Sequence, residues 1–495
     1  MILGTLIAVG LLGVTLAQPG GPQVTDIASR LELFTDRALI ESLSGGAALR
    51  MHRPTPQEIA LVADAPWEGN ASIYVTVFRD GDVYRMYYRG GQSKLTPQEY
   101  AEAHPSTYCY AESTDGIHWT KPDLGLVEFA GSRHNNIVLL GIGADSFAPF
   151  IDTNPACPPD AKYKAIANGG GGGAGLYVFR SPDGLHWSRV ADKPVITKGA
   201  FDSQNLAFWD ITRHEYRCYF RDFREGRDIK TSTSPDMATW SEPTWLDYAP
   251  GRSGELYTNQ ILPYYRAPHI FLGFPTRYVD RGWTPSHEYL PQLDHRHVRA
   301  GPSPREGSAV TEGMFMSSHD GQHFSIWPEA FLRPGLRTRD EWFYGDNYQA
   351  WGLVETKSAI ADTPPEISLY ATEGYHQEQG GTAFRRYTLR VDGFVSVEAP
   401  LSGGEMLTKP LTFSGRELVL NVSTSAAGSV RVEIQGVDGK PLPGYALADC
   451  PEIFGDSLGR PVAWKAGGYL SKLAGQPIRL RFELKDADLY SMRFR

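Results

Sequence analysis

Five short stretches of this sequence each place a carboxylate among amides and aromatic rings. They are Trp67-Glu68-Gly-Asn70, Asp145-Ser-Phe-Ala-Pro-Phe-Ile-Asp152-Thr-Asn154, Phe201-Asp202-Ser-Gln204-Asn205, Glu255-Leu-Tyr257-Thr-Asn259-Gln260 and Tyr344-Gly-Asp346-Asn347-Tyr348. Carboxylates and amides grip pairs of hydroxyls, and aromatic faces cover the apolar side of a sugar ring. Two carboxyls of unequal acidity can also cleave a glycosidic bond, one protonating the leaving oxygen and the other attacking or activating water. The register of these stretches is regular. Asp202 lies fourteen residues before Tyr216, Glu255 fourteen before His269, and Asn70 fourteen before Tyr84. Asp202 and Glu255 thus recur at one structural place, and with Glu68 and Asp152 from the neighbouring stretches they are the candidate carboxylates. Asn70, Gln204, Asn205, Tyr257, Asn259, Gln260, Asp346 and Tyr348 are candidates for binding substrate, and Arg221, Asp222 and Arg277 could balance charge or hold an acidic substrate.

The elements that must position these groups repeat. Ser113-Thr-Asp115-Gly116-Ile-His-Trp119 recurs as Ser181-Pro-Asp183-Gly184-Leu-His-Trp187, as Ser234-Pro-Asp236-Met-Ala-Thr-Trp240 and as Ser318-His-Asp320-Gly321-Gln-His-Phe324. Ser and Asp side chains accept backbone amides in a tight turn, Gly supplies a positive φ, and the aromatic packs back on a sheet. Short strand-like runs such as Tyr84–Arg89, Tyr163–Ala167, Tyr216–Arg221, His269–Gly273 and Ile367–Ala371 keep step with the boxes. Five such units fit between about residues 60 and 400, which predicts an all-β chain with a five-bladed β-propeller; a six-bladed closure is the rival. Inner strands of a propeller converge on a central funnel, and this is where the polar stretches would meet. From residue 401 to 495 strong alternation, as in Val430–Ile434 and Ile478–Leu484, predicts a small antiparallel β-sandwich.

This arrangement resembles the five-bladed propeller glycosidases of the invertase, levansucrase and arabinanase group (glycoside hydrolase families 32 and 43), which invertase-like members follow with a sandwich. The resemblance covers about residues 60–400. It implies three carboxylates on the inner strands of the first three blades, carried over by position to Glu68, Asp152 and Asp202. The group's Asn-Asp-Pro-Asn-Gly signature is absent, and Asp202 stands where the group has Glu, so Glu255 is the substitute acid. The resemblance implies a glycoside hydrolase acting on an oligo- or polysaccharide. Two other readings stay open: a glycan-binding propeller without catalysis, and a polysaccharide lyase using Tyr257 and histidines.

Composition limits the alternatives. The net charge is −9, and no basic stripe suits a nucleic acid. Residues 1–17 are apolar and end in Thr-Leu-Ala, which reads as a cleavable signal peptide before an N-terminal extension, 18–59. The expected location is secreted or periplasmic, with no membrane span after cleavage. Four cysteines select no pairing. No cofactor or metal is expected, although a structural calcium in the funnel is compatible with the architecture. The stretch 279–312, with Trp283, His287, His295, His297 and Arg305, is too long for a strand connection and reads as a lid rather than a metal site. The glycines at 169–173 read as a hairpin connection, since no Lys-Ser/Thr follows.

Overall fold

Each Ser-x-Asp box folds as the turn its chemistry dictates. In the first, Asp115 Oδ1 accepts the backbone N–H groups of Ile117 and His118 at 2.8 and 2.9 Å, and Ser113 Oγ accepts that of Gly116 at 2.9 Å. The same bonds recur around Asp183 and Asp320. The turn then fastens neighbouring sheets. Tyr87 donates its hydroxyl to Gly184 O at 3.0 Å, Tyr219 to Gly321 O at 2.7 Å, and Tyr370 to Gly116 O. Gly184 and Gly321 sit at φ +81° and +78°, and a Cβ on either would lie 2.7 Å from the tyrosine oxygen. Glycine is thus required twice over, for its φ and for the space. Met237 holds this place in the third box, and its carbonyl accepts from Trp240 instead.

The computed structural model describes residues 23–170, 175–336, 339 and 341–495; the expected signal peptide and part of the glycine run lie outside these residues. Five sheets follow one another along the described residues, and the first, second, third and fifth have four strands each, all antiparallel. From the axis outward, the first runs Ile73–Asp80, Val83–Gly90, Thr107–Ser113, Ile137–Leu140. The second runs Ala148–Ile151, Tyr163–Asn168, Leu176–Ser181, Ser188–Arg189, and the third Leu206–Asp210, Glu215–Phe223, Arg227–Ser234, Thr244–Trp245. The fourth starts at Leu262–Tyr264 and carries a separate three-stranded ribbon of Glu255–Leu256, Thr276–Asp280 and Ala309–Gly313. The fifth combines Val354–Thr356, Glu366–Glu373 and Ala383–Leu389 with Thr55–Val62 from the start of the chain. That N-terminal strand closes the ring of sheets. The first and fifth sheets also join at the axis, where Trp351 and residues 75–77 exchange backbone hydrogen bonds of 2.8 Å.

The stretch expected as an N-terminal extension is instead shared between two sheets. Thr55–Val62 belongs to the propeller, while Thr25–Ala28, Glu32–Leu33, Ile40–Ser44 and Ala48–Met51 join a ten-stranded sheet with the C-terminal segment. Its long strands, Leu418–Gly436 and Ile478–Phe494, pair with a register break at residues 424–429, and both halves bury one core around Phe413, Trp464 and Phe482. Asp392 joins this sheet to the propeller. Fully buried, it accepts bonds from Tyr264 Oη at 2.6 Å, Arg266 Nε at 2.9 Å and Ser491 Oγ at 3.0 Å.

Candidate active site

At the end of the axis where the inner strands begin, the sheets enclose a cavity of about 690 Å³, the size of a small-molecule site. Its walls are rich in tyrosine: Tyr74, Tyr100, Tyr257, Tyr344, Tyr348 and Tyr375. Burial holds the phenols of Tyr74, Tyr344, Tyr348 and Tyr375 far above their ordinary range, so they stay protonated as donors. The Tyr348 hydroxyl is buried without a hydrogen-bond partner. Backbone strain gathers here as well. Tyr74, His376 and, on the axis below, Gln260 adopt φ of +58°, +59° and +42°, conformations that cost about 1–3 kcal/mol each away from glycine and persist where the surroundings enforce them. Tyr108 Oη, donating to Tyr74 O at 2.7 Å, is one such constraint.

Four carboxyl groups line the cavity: Glu102, Asp145, Asp202 and Glu306. Asp145 is paired with Arg89 at 3.1 Å, which also lies 3.5 Å from Glu102. Asp202 has a side chain 61% exposed and meets Arg221 at 3.6 Å; Arg221 itself lies flat against Tyr257, 4.8 Å from the ring centroid. Glu306 is different. Its nearest cations, Arg299 and Arg305, stand 3.8 and 3.9 Å away, and its buried Oε2 makes no hydrogen bond. Burial therefore raises its pKa above the ordinary glutamate value, against the pull of the two arginines and of Arg227.

Glu306 is delivered by the insertion at 281–308, which the sequence marked only as a lid. A helix, Leu293–Ala300, turns two arginines inward. Arg299 donates to Tyr375 O at 3.0 Å and Tyr344 O at 2.8 Å, and Arg296 to Trp342 O at 2.6 Å and Pro291 O at 3.0 Å. Both guanidinium groups are fully buried, and burial lowers the Arg296 pKa to about 10. The next helix, Pro304–Ser308, carries Arg305 and Glu306 to the cavity. The insertion's histidines are engaged in packing. His287 Nε2 is 3.1 Å from Ser308 O, His295 Nε2 is 2.8 Å from His376 O, and His297 stacks on Trp283 at 4.7 Å. Among the described residues no group of three or more His, Cys, Asp or Glu is placed to hold a metal ion.

Of the residues singled out from the sequence, Asp202, Tyr257 and Tyr348 line this cavity. Three carboxylates expected there do not. Glu68 is buried beneath the first sheet, where it accepts from Lys121 Nζ and Tyr88 Oη, both at 2.5 Å. Asp152 sits at the far end of its strand, tied to Lys164 and to Tyr216 Oη at 2.7 Å. Glu255 is outside the lining, its carboxylate accepting from the Arg227 side chain at 2.7 Å and the Arg227 backbone N–H at 3.1 Å.

The amides hold the frame together. Gln260 Nε2 donates to Gln204 Oε1 at 2.7 Å and Gln349 O at 2.9 Å, and Gln204 donates to Thr76 Oγ1 at 3.0 Å, so the two glutamines lace the axis. Asn205 braces its own loop through Phe201 O and Ser203 O, and Asn259 Oδ1 faces Ile261 N at 3.4 Å. Asn70 pins Ser93 through both its backbone groups. Asp222 pairs with Lys230 at 2.7 Å, and Arg277 with Glu312 at 2.6 Å, both outside the cavity lining. Arg221 backs the wall behind Asp202 and Tyr257. Asp346 lies buried under Tyr344 and Tyr375 and accepts the N–H groups of Phe343 and Tyr375 at 3.0 and 3.1 Å.

Asp145 stood in the same stretch as Asp152, and its place three residues before the inner strand Ala148–Ile151 is the signal that favours it. Tyr74 likewise begins an inner strand. Glu306 lies in an insertion outside the repeat, so register said nothing of it. A second cavity, about 770 Å³, lies on the other face of the Thr276–Asp280 ribbon; its one lining carboxylate, Glu312, is neutralised by Arg277, and its walls are largely apolar (Val279, Leu290, Val310, Trp342). The smaller funnel cavity holds the four carboxyl groups and the tyrosines.

No family model matches the chain. Two uncharacterised proteins, from two strains of Mycobacterium tuberculosis, are 30% identical to it over 147 and 153 residues, 30% of this chain in each case; the chain spans 42% of the length of these relatives. Among solved structures, it is similar to a fructofuranosidase from Schwanniomyces occidentalis complexed with fructosylnystose, at 11% identity and a TM-score of 0.37, covering 88% of this chain and 98% of that one. A second, from work on the GH130 family of mannoside phosphorylases and its glycoside hydrolases targeting β-1,2 mannosidic linkages in Candida mannan, gives 13% identity, a TM-score of 0.39 and coverage of 68% and 94%. An N-acetylgalactosamine deacetylase from F. plautii, solved with blood group B trisaccharide, gives 14%, 0.40, 69% and 96%.

Proposed function

We propose that this protein hydrolyses glycosidic bonds in the funnel cavity, with Glu306 as general acid and Asp202 as the second carboxylate. The observation that carries the reading is the contrast between these two groups. Glu306 has one oxygen buried and unpartnered, which favours its protonated form, whereas Asp202 is exposed beside Arg221. Hydrolysis of an acetal needs such a division: a proton for the departing oxygen and a negative charge opposite the oxocarbenium-like carbon. Protonated Glu306 gives its proton to the leaving oxygen as the C–O bond breaks. Asp202 either bonds to the anomeric carbon, in which case water deprotonated by the Glu306 carboxylate then breaks that bond and frees Asp202, or takes a proton from the water that attacks directly. The tyrosines supply ring faces for the sugar and hydroxyl donors for its oxygens, and the Arg89–Asp145 pair supplies fixed donors and acceptors at the rim.

The test is a screen of aryl glycosides and natural oligosaccharides with the wild-type chain, Glu306→Gln and Asp202→Asn. Loss of about 10²–10⁴ in kcat/KM is expected for each, the range for removing an acid–base group. Glu306→Gln should be hurt least on aryl glycosides whose leaving group needs no proton. Full activity of either variant on a natural oligosaccharide would overturn the assignment. We also propose that the protein works outside the cytoplasm, a reading supported by the apolar run at residues 1–17. Cell fractionation of an expressing host checks it, and a chain found only in the cytoplasm and still beginning at Met1 refutes it.

A further inference from the structure

We infer that the cavity accepts only the end of a glycan chain, so that the enzyme is exo-acting; this rests on the glycosidase reading above. The inference comes from how two segments outside the repeat meet. A hairpin from the first sheet, Ser93–Leu95 with Tyr100–Glu102, rises on one side of the cavity. The insertion from the fourth sheet rises on the other. They touch over the fifth sheet, where Gly301 packs so closely on Pro97 that a Cβ there would lie 1.9 Å from the Pro97 carbonyl oxygen.

Both segments are also bound to the fifth-sheet loop beneath them. On the hairpin side, Ser93 Oγ is 3.2 Å from His376 Nε2, and the Tyr100 ring lies 5.5 Å from that of His376. On the insertion side, His295 Nε2 meets His376 O at 2.8 Å and Arg299 donates to Tyr375 O at 3.0 Å. Hairpin, loop and insertion therefore form one continuous wall across the fourth, fifth and first sheets. A chain lying across the funnel would have to leave through that wall. A chain whose terminal unit sits in the cavity would extend the other way, past Gly141, Asp145 and Asp202 of the second and third sheets.

The experiment uses the full chain with a panel of oligosaccharides carrying a fluorophore at the reducing end, followed by chromatography of early products. The expected result is loss of single end units, giving a ladder that shortens one sugar at a time. Gly301→Val, whose side chain must push Pro97 away, should gain mid-chain products. A second variant, with residues 94–101 replaced by a short glycine turn, should do the same without altering the insertion. Mid-length products from the wild-type chain would overturn the exo inference while leaving the glycosidase reading intact. Failure to cleave any member of the panel would overturn both. Variants that stay folded by circular dichroism and still release only single units would overturn the wall as the cause.

Discussion

Asp346 links the stability of this fold to pH in a way that can be worked out in advance. The carboxyl is fully buried, and burial raises its pKa from 3.8 to about 7 despite Arg299 and the two N–H groups it accepts. In the unfolded chain the group would titrate near its ordinary value. Between the two values the folded chain keeps a proton that the unfolded chain has lost. Stability conferred by this group is then greatest at acid pH and falls as pH rises, by up to ~1.4 kcal/mol per unit, levelling off above about 7. Over the window of roughly three units the loss is on the order of 4 kcal/mol. Asp346→Asn keeps the shape and one of the two acceptors, at a cost that does not vary with pH, and removes the titration. The assay is thermal or guanidinium unfolding of both proteins between about pH 4 and pH 8, and the quantity read is the difference between them, which cancels every group they share. Wild type should lose on the order of 4 kcal/mol relative to the variant across that range, about 4 °C in a chain of this length. A flat difference, or one that grows in favour of wild type as pH rises, would mean that Asp346 is a carboxylate paired with Arg299, and the burial argument would be refuted.

Other expectations follow from single contacts. If Glu306 is the acid, kcat/KM should fall on the alkaline side with an apparent pKa above that of an ordinary glutamate, because the proton is needed and is lost as pH rises; Glu306→Gln should abolish that limb, and a profile unchanged by the substitution would speak against the assignment. Glu68→Gln removes the ion pair with Lys121, which keeps Val62 O at 2.7 Å and Asp64 at 2.9 Å, and should lower stability by about 1–3 kcal/mol, yet the pH profile of activity should keep its shape. Tyr219→Phe removes the bond to Gly321 O and should cost about 1 kcal/mol by chemical unfolding with no change in kcat/KM. Asp392→Ala leaves Arg266, Tyr264 and Ser491 without their shared acceptor, and faster cleavage near the junction with the C-terminal sheet should appear in limited proteolysis.

The parts of this fold that could be read from the sequence are those made by local chemistry. The boxes at Asp115, Asp183 and Asp320 need only neighbouring residues to form their turns, and their recurrence fixed the positions of the strands around them. The N-terminal strands were not legible, because Thr55–Val62 and Thr25–Ala28 earn their places by pairing with residues more than three hundred positions away.

The candidate site shows the same division. A carboxylate near an inner strand was expected to face the funnel, but what decides its role is whether another part of the chain neutralises it. Lys121 comes from 53 residues away to meet Glu68, and Arg227 from 28 residues away to meet Glu255. Each partner converts a candidate acid into a structural ion pair, because a buried carboxylate is tolerated when a cation and hydrogen bonds satisfy it. Reactivity requires the opposite condition. In its proposed role Glu306 meets that condition, with Oε2 buried and without a hydrogen bond while the two closest guanidinium groups stand 3.8 and 3.9 Å away. The chain bears the desolvation of Arg296 and Arg299 to hold that arrangement, directing both at backbone carbonyls instead of at carboxylates. A buried arginine whose hydrogen bonds go to backbone carbonyls keeps much of its desolvation cost. Its retention here is accounted for if the insertion exists to keep one carboxyl incompletely satisfied over the tyrosine-lined floor of the funnel.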